Sequence, residues 1–517
     1  MGLSRYHRFV MVFLVLPALI LSGCAGPRKL QQAEERYGTD SEALSVFHRT
    51  MEGDGGLGLR FPGYLIGIEK AKRSKIGMPG KCAWYQRKAT ADADGLDRSY
   101  FNGNDEYYGE VKGILDDCKR SFVSHIVQYE LAQDLHGLPF IREQFIHNAY
   151  DRTLLDQQAY DAGKYALLTK LKQNIRNRLT AARTQEPYTH IMVYSMGWNT
   201  DQQEALRNYN SLLYLMLQER NGRPFKPLFI GISWPSEWNW PVLETLGQLI
   251  SYGTKANDAD EVGMVWISQL LRQVLIPLKQ EEQKDGHELP IIMVGHSFGA
   301  RAITSGVFGY PSAATKDHSA KDVDLVIGLQ GAFSVKRFMQ EVGGEGGPYR
   351  DFKEYANKFV YTWSRHDTAN TSAFWSRHIG GRSGYKATCG NRAFAQYAIK
   401  ADVRQGKKCD GEFCEHNSED LEYRGVALPA VVPAGNTAAP WKDSFADPTT
   451  ISIVDATEMV RYVPYAKGGK AHSDIYTPGI ANFTWDVLVD AAEASRGKMA
   501  RFSREGASLN PTGEVVK

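Results

Sequence analysis

Between residues 187 and 490 short, unbroken apolar runs alternate with amphipathic stretches. The runs are HIMVYS (190–195), PLFIGISW (227–234), LPIIMVG (289–295), DLVIGLQG (324–331), KFVYTWS (358–364) and TISIVDA (450–456). Each has the length of a strand, and consecutive rather than alternating apolarity means that both faces are covered. TDQQEALRNYNSLLYLMLQER lies between the first two runs and DEVGMVWISQLLRQVLIPLKQ (260–280) precedes the third; both have helical periodicity. Strands alternating with helices predict an α/β domain over 187–490, with a mostly parallel sheet wrapped by helices.

The flanks read differently. Residues 24–60 look like a polar tether. Residues 61–186 carry no strong strand signal, and in KYALLTKLKQNIRNRL the residues Leu167, Leu171, Ile175 and Leu179 recur every four positions on one face. A mainly helical N-terminal region is therefore expected there. A stretch of about 380–448 interrupts the domain; it is polar, rich in Gly and Pro and long for a compact fold, so it is expected to be an insertion that is functional or stapled. Residues 491–517 read as a C-terminal tail.

Composition removes some partners. The 517-residue chain is 43% hydrophobic and carries a net charge of +2, so no basic field argues for nucleic acid. Residues 1–23 read as a leader: Arg5 and Arg8 precede FVMVFLVLPALIL, too short to span a bilayer comfortably and right for a secretory segment. Leu21-Ser22-Gly23-Cys24 resembles the bacterial lipobox. That resemblance implies acylation of Cys24, a membrane anchor rather than a span, and, with Ala25 following, a place in the cell envelope with the outer membrane favoured.

In an exported chain two disulfides and one free thiol are the simplest expectation for the other five cysteines, Cys82, Cys118, Cys389, Cys409 and Cys414. Cys82 with Cys118, and Cys389 with Cys409 or Cys414, are the pairings that keep each bridge within one region. Cys409, Cys414 and His416 lack a convincing fourth ligand for zinc, so neither a metal nor another cofactor is expected.

The chemistry concentrates at Gly295-His296-Ser297-Phe298-Gly299. An apolar strand runs into it and ARAITSGVF runs out as a helix, the strand–turn–helix setting in which G-x-S-x-G holds a nucleophile on a strained turn. Gly295 and Gly299 remove side chains that would collide with the neighbouring strand and helix. Ser297 then needs a base and a carboxylate to hold the tautomer of that base. His472, in the Gly-rich loop KGGKAHSDIYTPG after the last strand, is the expected base. Asp367, just past KFVYTWS, is the expected acid, with Asp455 as its rival and Asp324 less suited because it begins a strand. Two N–H donors should face the developing oxyanion, Phe298 and, from the loop after the first strand, Trp198, where Gly197 lets the backbone turn. Trp234, Trp238 and Trp240 read as core packing or a cap over the cleft rather than a sugar platform.

With these residues assembled, the chain resembles the α/β-hydrolases. It is similar to bacterial serine hydrolases with an HG-aromatic-N loop, a SWPS strand end, GHSFG and a late HSD. Here they read Met196-Gly197-Trp198-Asn199, Ser233-Trp234-Pro235-Ser236, Gly295 to Gly299 and His472-Ser473-Asp474, within 187–490; Met196 replaces the usual His. The resemblance implies a lipid-anchored carboxylic-ester hydrolase, esterase- or lipase-like, acting on an ester or lipid through an acyl-enzyme. An acyltransferase with the same three residues and a non-catalytic envelope lipoprotein are the alternatives.

Overall fold

The structure is a computed structural model. It describes residues within 58–70, 121–148, 157–197, 202–219, 224–234, 256–309, 322–339, 349–400, 426–429, 451–460 and 471–488. Six apolar runs become the strands β4 (His190–Ser195), β5 (Pro227–Ser233), β6 (Ile291–His296), β7 (Leu325–Leu329), β8 (Phe359–Trp363) and β11 (Ile451–Asp455). All pair in parallel with their neighbours, and nearly every residue in them is buried.

The expectation of a mainly helical region over 61–186 is overturned. Three strands, β1 (Gly63–Lys70), β2 (Ser121–Gln133) and β3 (Pro139–Asn148), extend the same sheet, and only α1 (Gln157–Arg183) is helical among the described residues there. β1 pairs in parallel with β5, and β2 and β3 close that edge antiparallel. Register shifts fall between Gly67 and Ile68 and between Ile126 and Val127. Each shift breaks the period-2 pattern by which a strand is recognised in a sequence. The helical reading holds for α1, where Leu167, Leu171, Ile175 and Leu179 are all buried; each contributes about 2 kcal/mol of hydrophobic stabilisation.

The 380–448 stretch is likewise more than a loop. It supplies α5 (Arg382–Thr388) and two further parallel strands, β9 (Phe394–Lys400) and β10 (Val426–Pro429), on the far side of β11. The result is an 11-stranded mixed sheet in the order β10-β9-β11-β8-β7-β6-β4-β5-β1-β2-β3. All six cysteines, the bridges expected of them and His416 lie outside the described residues.

Helices cover both faces. One apolar cluster holds α1, a continuous helix α3 over 258–284 and α4 (Phe298–Gly309); the other holds α2 (Gln202–Glu219) and α6 over 478–488. Among the described residues no helix is long and apolar enough to cross a membrane. From β4 the chain moves to β5 on one side, then returns past β4 to β6, β7 and β8 on the other. Strand order therefore reverses between β4 and β6, and in open α/β sheets ligands bind beyond the carboxyl ends of the strands at such a point.

A buried charge cluster locks α4 in place. Asp260 on α3 accepts from Arg301 on α4 at 2.9 and 2.6 Å, from Arg337 at 3.0 and 2.9 Å and from Ser305 at 2.6 Å. Burial pushes the Asp260 carboxyl up, but the two guanidiniums more than offset this and hold it below its usual value. Its ionised contribution is therefore complete above the ordinary carboxylate range, about pH 4, and is lost as pH falls through the lower folded value. Asp260→Asn keeps the shape but leaves two guanidiniums without their anion. We expect it to cost about 3 kcal/mol, read as a fall in Tm at pH 7, and to flatten the acid-side decline of Tm below about pH 4.

Candidate active site

The residues after β4, β6, β7 and β8, together with the turn that follows β11, converge at the carboxyl edge of the sheet. Ser297 sits between β6 and α4 with φ 56°, a left-handed backbone that costs a side-chain-bearing residue on the order of 1 kcal/mol or more. Its surroundings over-determine that conformation. The Ser297 N–H donates to Leu329 O at 3.0 Å, and its carbonyl accepts from Ala300 N–H and Ala332 N–H, each at 3.1 Å.

The flanking glycines are steric necessities. A Cβ on Gly299 would collide with the Ser195 carbonyl at the end of β4, and one on Gly295 would lie 2.5 Å from Ala300 Cα. Gly197 lies just as close to the elbow: its Cβ would stand 2.5 Å from Ser297 Cβ and 3.1 Å from Oγ. The loop after β4 therefore passes directly against the serine. Phe298 opens α4 and is buried. Trp198 lies outside the described residues, as do Trp238 and Trp240. Trp234 is buried and its indole N–H donates to Met196 O at 3.0 Å, while Tyr476 O–H donates to Met196 Sδ at 3.5 Å. These two bonds hold the loop at Met196.

His472 stands on a short 3-10 turn, Ala471–Ser473, whose Ala471 is buried. Its Nε2 lies 2.7 Å from Ser297 Oγ and its Nδ1 lies 2.9 Å from Asp367 Oδ2. Asp367 is fully buried, on the turn after β8 where its N–H donates to Ser364 O at 3.2 Å. Burial pushes its carboxyl up; the charge of His472 and hydrogen bonds from His472 and Asn370 outweigh this and hold it below the usual value. A serine hydroxyl, an imidazole and an ionised carboxylate aligned in this way can pass the hydroxyl proton to the ring and stabilise the cation that results.

The rivals stand elsewhere. Asp455 ends β11, where its Oδ1 accepts from Thr457 N–H at 2.9 Å. Asp324 is paired with Lys279 at 2.6 Å and accepts from Ile291 N–H. His366 is bonded locally, its N–H donating to Ser364 Oγ at 3.1 Å.

Sequence reasoning missed the residues that hold Asp367. Asn370 donates to Asp367 Oδ2 at 2.7 Å through its side chain and to Oδ1 at 3.1 Å through its backbone. His378 Nδ1–H donates to Asn370 Oδ1 at 2.9 Å, which turns the amide so that its NH2 faces the carboxylate. Gln330, after β7, donates to Asp367 Oδ2 at 3.2 Å and accepts at Oε1 from Thr362 O–H at 2.9 Å. Gln330 has φ 50° and, with Ser297, is a non-glycine residue of positive φ among the described residues. The signal available in the sequence was a glutamine closing an otherwise apolar run, DLVIGLQG. Among the described residues no group of three or more His, Cys, Asp or Glu side chains is spaced to hold a metal ion.

No family model matches the chain, and no curated protein matches it. One solved structure is similar in part, phospholipase PlaB from Legionella pneumophila in complex with thio-NAD. The identity is 12% and the TM-score 0.22, over 41% of this chain and 46% of that chain, so the match spans less than half of the neighbour's length. At that level the likeness fixes neither a shared fold nor a shared activity.

Proposed function

We propose that this chain is a serine hydrolase of α/β-hydrolase architecture that cleaves carboxylic esters. The observation that carries the reading is the hydrogen-bonded chain Asp367–His472–Ser297, at 2.9 and 2.7 Å, ending on a serine of φ 56° between strand and helix. Ser297 Oγ attacks the ester carbonyl while His472 Nε2 takes its proton; the Oγ–C bond forms and the carbonyl electrons move to oxygen. Phe298 N–H and Trp198 N–H are the donors assigned to that oxyanion. His472 then returns the proton to the departing alcohol, leaving an acyl-Ser297. Water attacks the acyl carbon next, with His472 taking its proton; the Oγ–C bond then breaks, His472 returns the proton to Ser297 Oγ, and the acid is freed. Asp367 holds His472 with Nδ1 protonated throughout.

The substrate assigned is an ester, including esters of lipids, and the place assigned is the cell envelope, by acylation of Cys24. Two buried polar supports favour a working site over an idle one: Gln330 and Asn370 both aim donors at a carboxylate that already faces His472. A fluorophosphonate probe on the full-length protein tests the reading. Labelling is expected at Ser297, together with turnover of p-nitrophenyl or phospholipid esters. An unlabelled protein with no ester turnover overturns it, and acyl transfer to an added alcohol in preference to water would assign the transferase reading instead. For the anchor, Cys24→Ser is expected to abolish palmitate incorporation, read by fractionation after labelling; a wild-type protein that takes up no palmitate removes the anchor.

A further inference from the structure

His296, immediately before Ser297, is almost fully buried, and its ring Nε2 lies 2.7 Å from the backbone oxygen of His472. A carbonyl can only accept, so Nε2 carries the proton and Nδ1 does not. Among the described residues Nδ1 has no hydrogen-bond partner. The two imidazoles lie 5.0 Å apart, tilted by 40°. His296 is therefore a neutral one-proton donor whose single bond ties the turn carrying the base to the strand carrying the nucleophile.

We propose that His296 is a positioning residue: through its bond to the His472 carbonyl it sets the separation between His472 Nε2 and Ser297 Oγ. This rests on the hydrolase reading above. Among the described residues the turn's own backbone bond, Asp474 N–H to Ala471 O at 3.1 Å, lies within the turn, whereas the His296 bond joins its backbone to β6. A ring is suited to the task because it reaches the carbonyl without a flexible stem. It must also stay neutral, since a cation there would oppose the imidazolium that His472 becomes during proton transfer. Burial first, and the neighbouring His472 second, hold the His296 ring down at about 3.

The test separates the bond from the ring. Gln carries its amide donor near the place of ring Nε2, whereas Leu fills similar space without a donor, and Asn carries its donor near the place of Nδ1, out of reach of the carbonyl. Full-length wild type, His296→Gln, His296→Leu and His296→Asn are compared by kcat and KM on a p-nitrophenyl ester, by the rate of fluorophosphonate labelling and by Tm. The Leu and Asn variants are expected to lose about 10- to 100-fold in kcat, the cost of a misplacement of about 1 Å, with KM within about twofold. The Gln variant is expected to keep kcat within about fivefold and, because His296 does not titrate in the working range, to leave the acid limb of kcat/KM where it is in wild type. If Leu fails to fold, Asn carries the comparison with Gln. Equal losses in Gln and Asn, a changed acid limb in Gln, or wild-type kcat in Asn each overturn the assignment while labelled wild type keeps the hydrolase reading. A wild type unlabelled at Ser297 removes both.

Discussion

Ser297→Ala yields a folded protein whose ester turnover is lower by on the order of 10³-fold or more and which fluorophosphonate no longer labels. The substitution removes one oxygen. The backbone bonds that hold the elbow, Ser297 N–H to Leu329 O and the three donors to Ser297 O, do not involve the side chain. Alanine meets the same left-handed backbone cost as serine, so Tm should stay within a few degrees of wild type. His472 loses a partner at 2.7 Å but keeps Asp367 at 2.9 Å. His472→Ala should cost about as much as Ser297→Ala, and the double variant little more, because the residues act as one unit. Turnover in Ser297→Ala above a tenth of wild type would mean that another group attacks the ester.

Much of this arrangement was legible in the sequence because burial writes itself into the strands around it. β4 to β8 and β11 are buried on both faces, and a doubly buried strand is a continuous apolar run that admits few other readings. Ser297 was visible because its turn forbids side chains at Gly295 and Gly299, a constraint that survives as spacing. His472 was visible by its place after the last strand. β1 to β3 were not legible: β3 is the edge strand, β2 mixes Ser124, His125 and Gln128 with apolar residues, and the pairings among the three carry two register shifts. β9 and β10 escaped notice inside a polar stretch: β10 is a four-residue strand at the other sheet edge, and β9 sets a buried Gln396 among its apolar residues. The polar residues that orient the site left the weakest trace. Gln330, His378 and His296 reach their partners Asp367, Asn370 and His472 across 37, 8 and 176 positions of chain, and no local pattern encodes such a pairing.

Those hydrogen bonds also decide what Asp367→Asn should do. Asp367 Oδ2 accepts from His472 Nδ1, Asn370 Nδ2 and Gln330 Nε2, and Oδ1 accepts from the Asn370 N–H. Every partner is a donor, so the site is built for a group with no protons of its own. Asparagine brings one oxygen and one NH2, and whichever way the amide turns, a donor meets a donor. If the NH2 faces Oδ2's partners, His472 relieves the conflict by moving its proton to Nε2, which then points at Ser297 and cannot accept. If it faces the Asn370 N–H instead, His472 keeps its tautomer but loses the negative charge that stabilises its protonated form. The first outcome is the costlier, and turnover is expected to fall about 10³- to 10⁴-fold, with an unsatisfied buried donor destabilising the fold by about 1–3 kcal/mol. Because the Asp367 carboxyl is held below its usual value, it remains ionised throughout the neutral range and loses its contribution only as pH falls through that lowered value. An acid limb of kcat/KM in the neutral range therefore does not come from Asp367. Asp455→Asn is the matched control, since Asp455 Oδ1 accepts from Thr457 N–H and is expected to leave turnover within a few-fold of wild type. Steady-state kinetics on the two variants decide the matter: if Asp455→Asn is the one that fails while Asp367→Asn turns over normally, the carboxylate beside His472 Nδ1 is not the one that serves it.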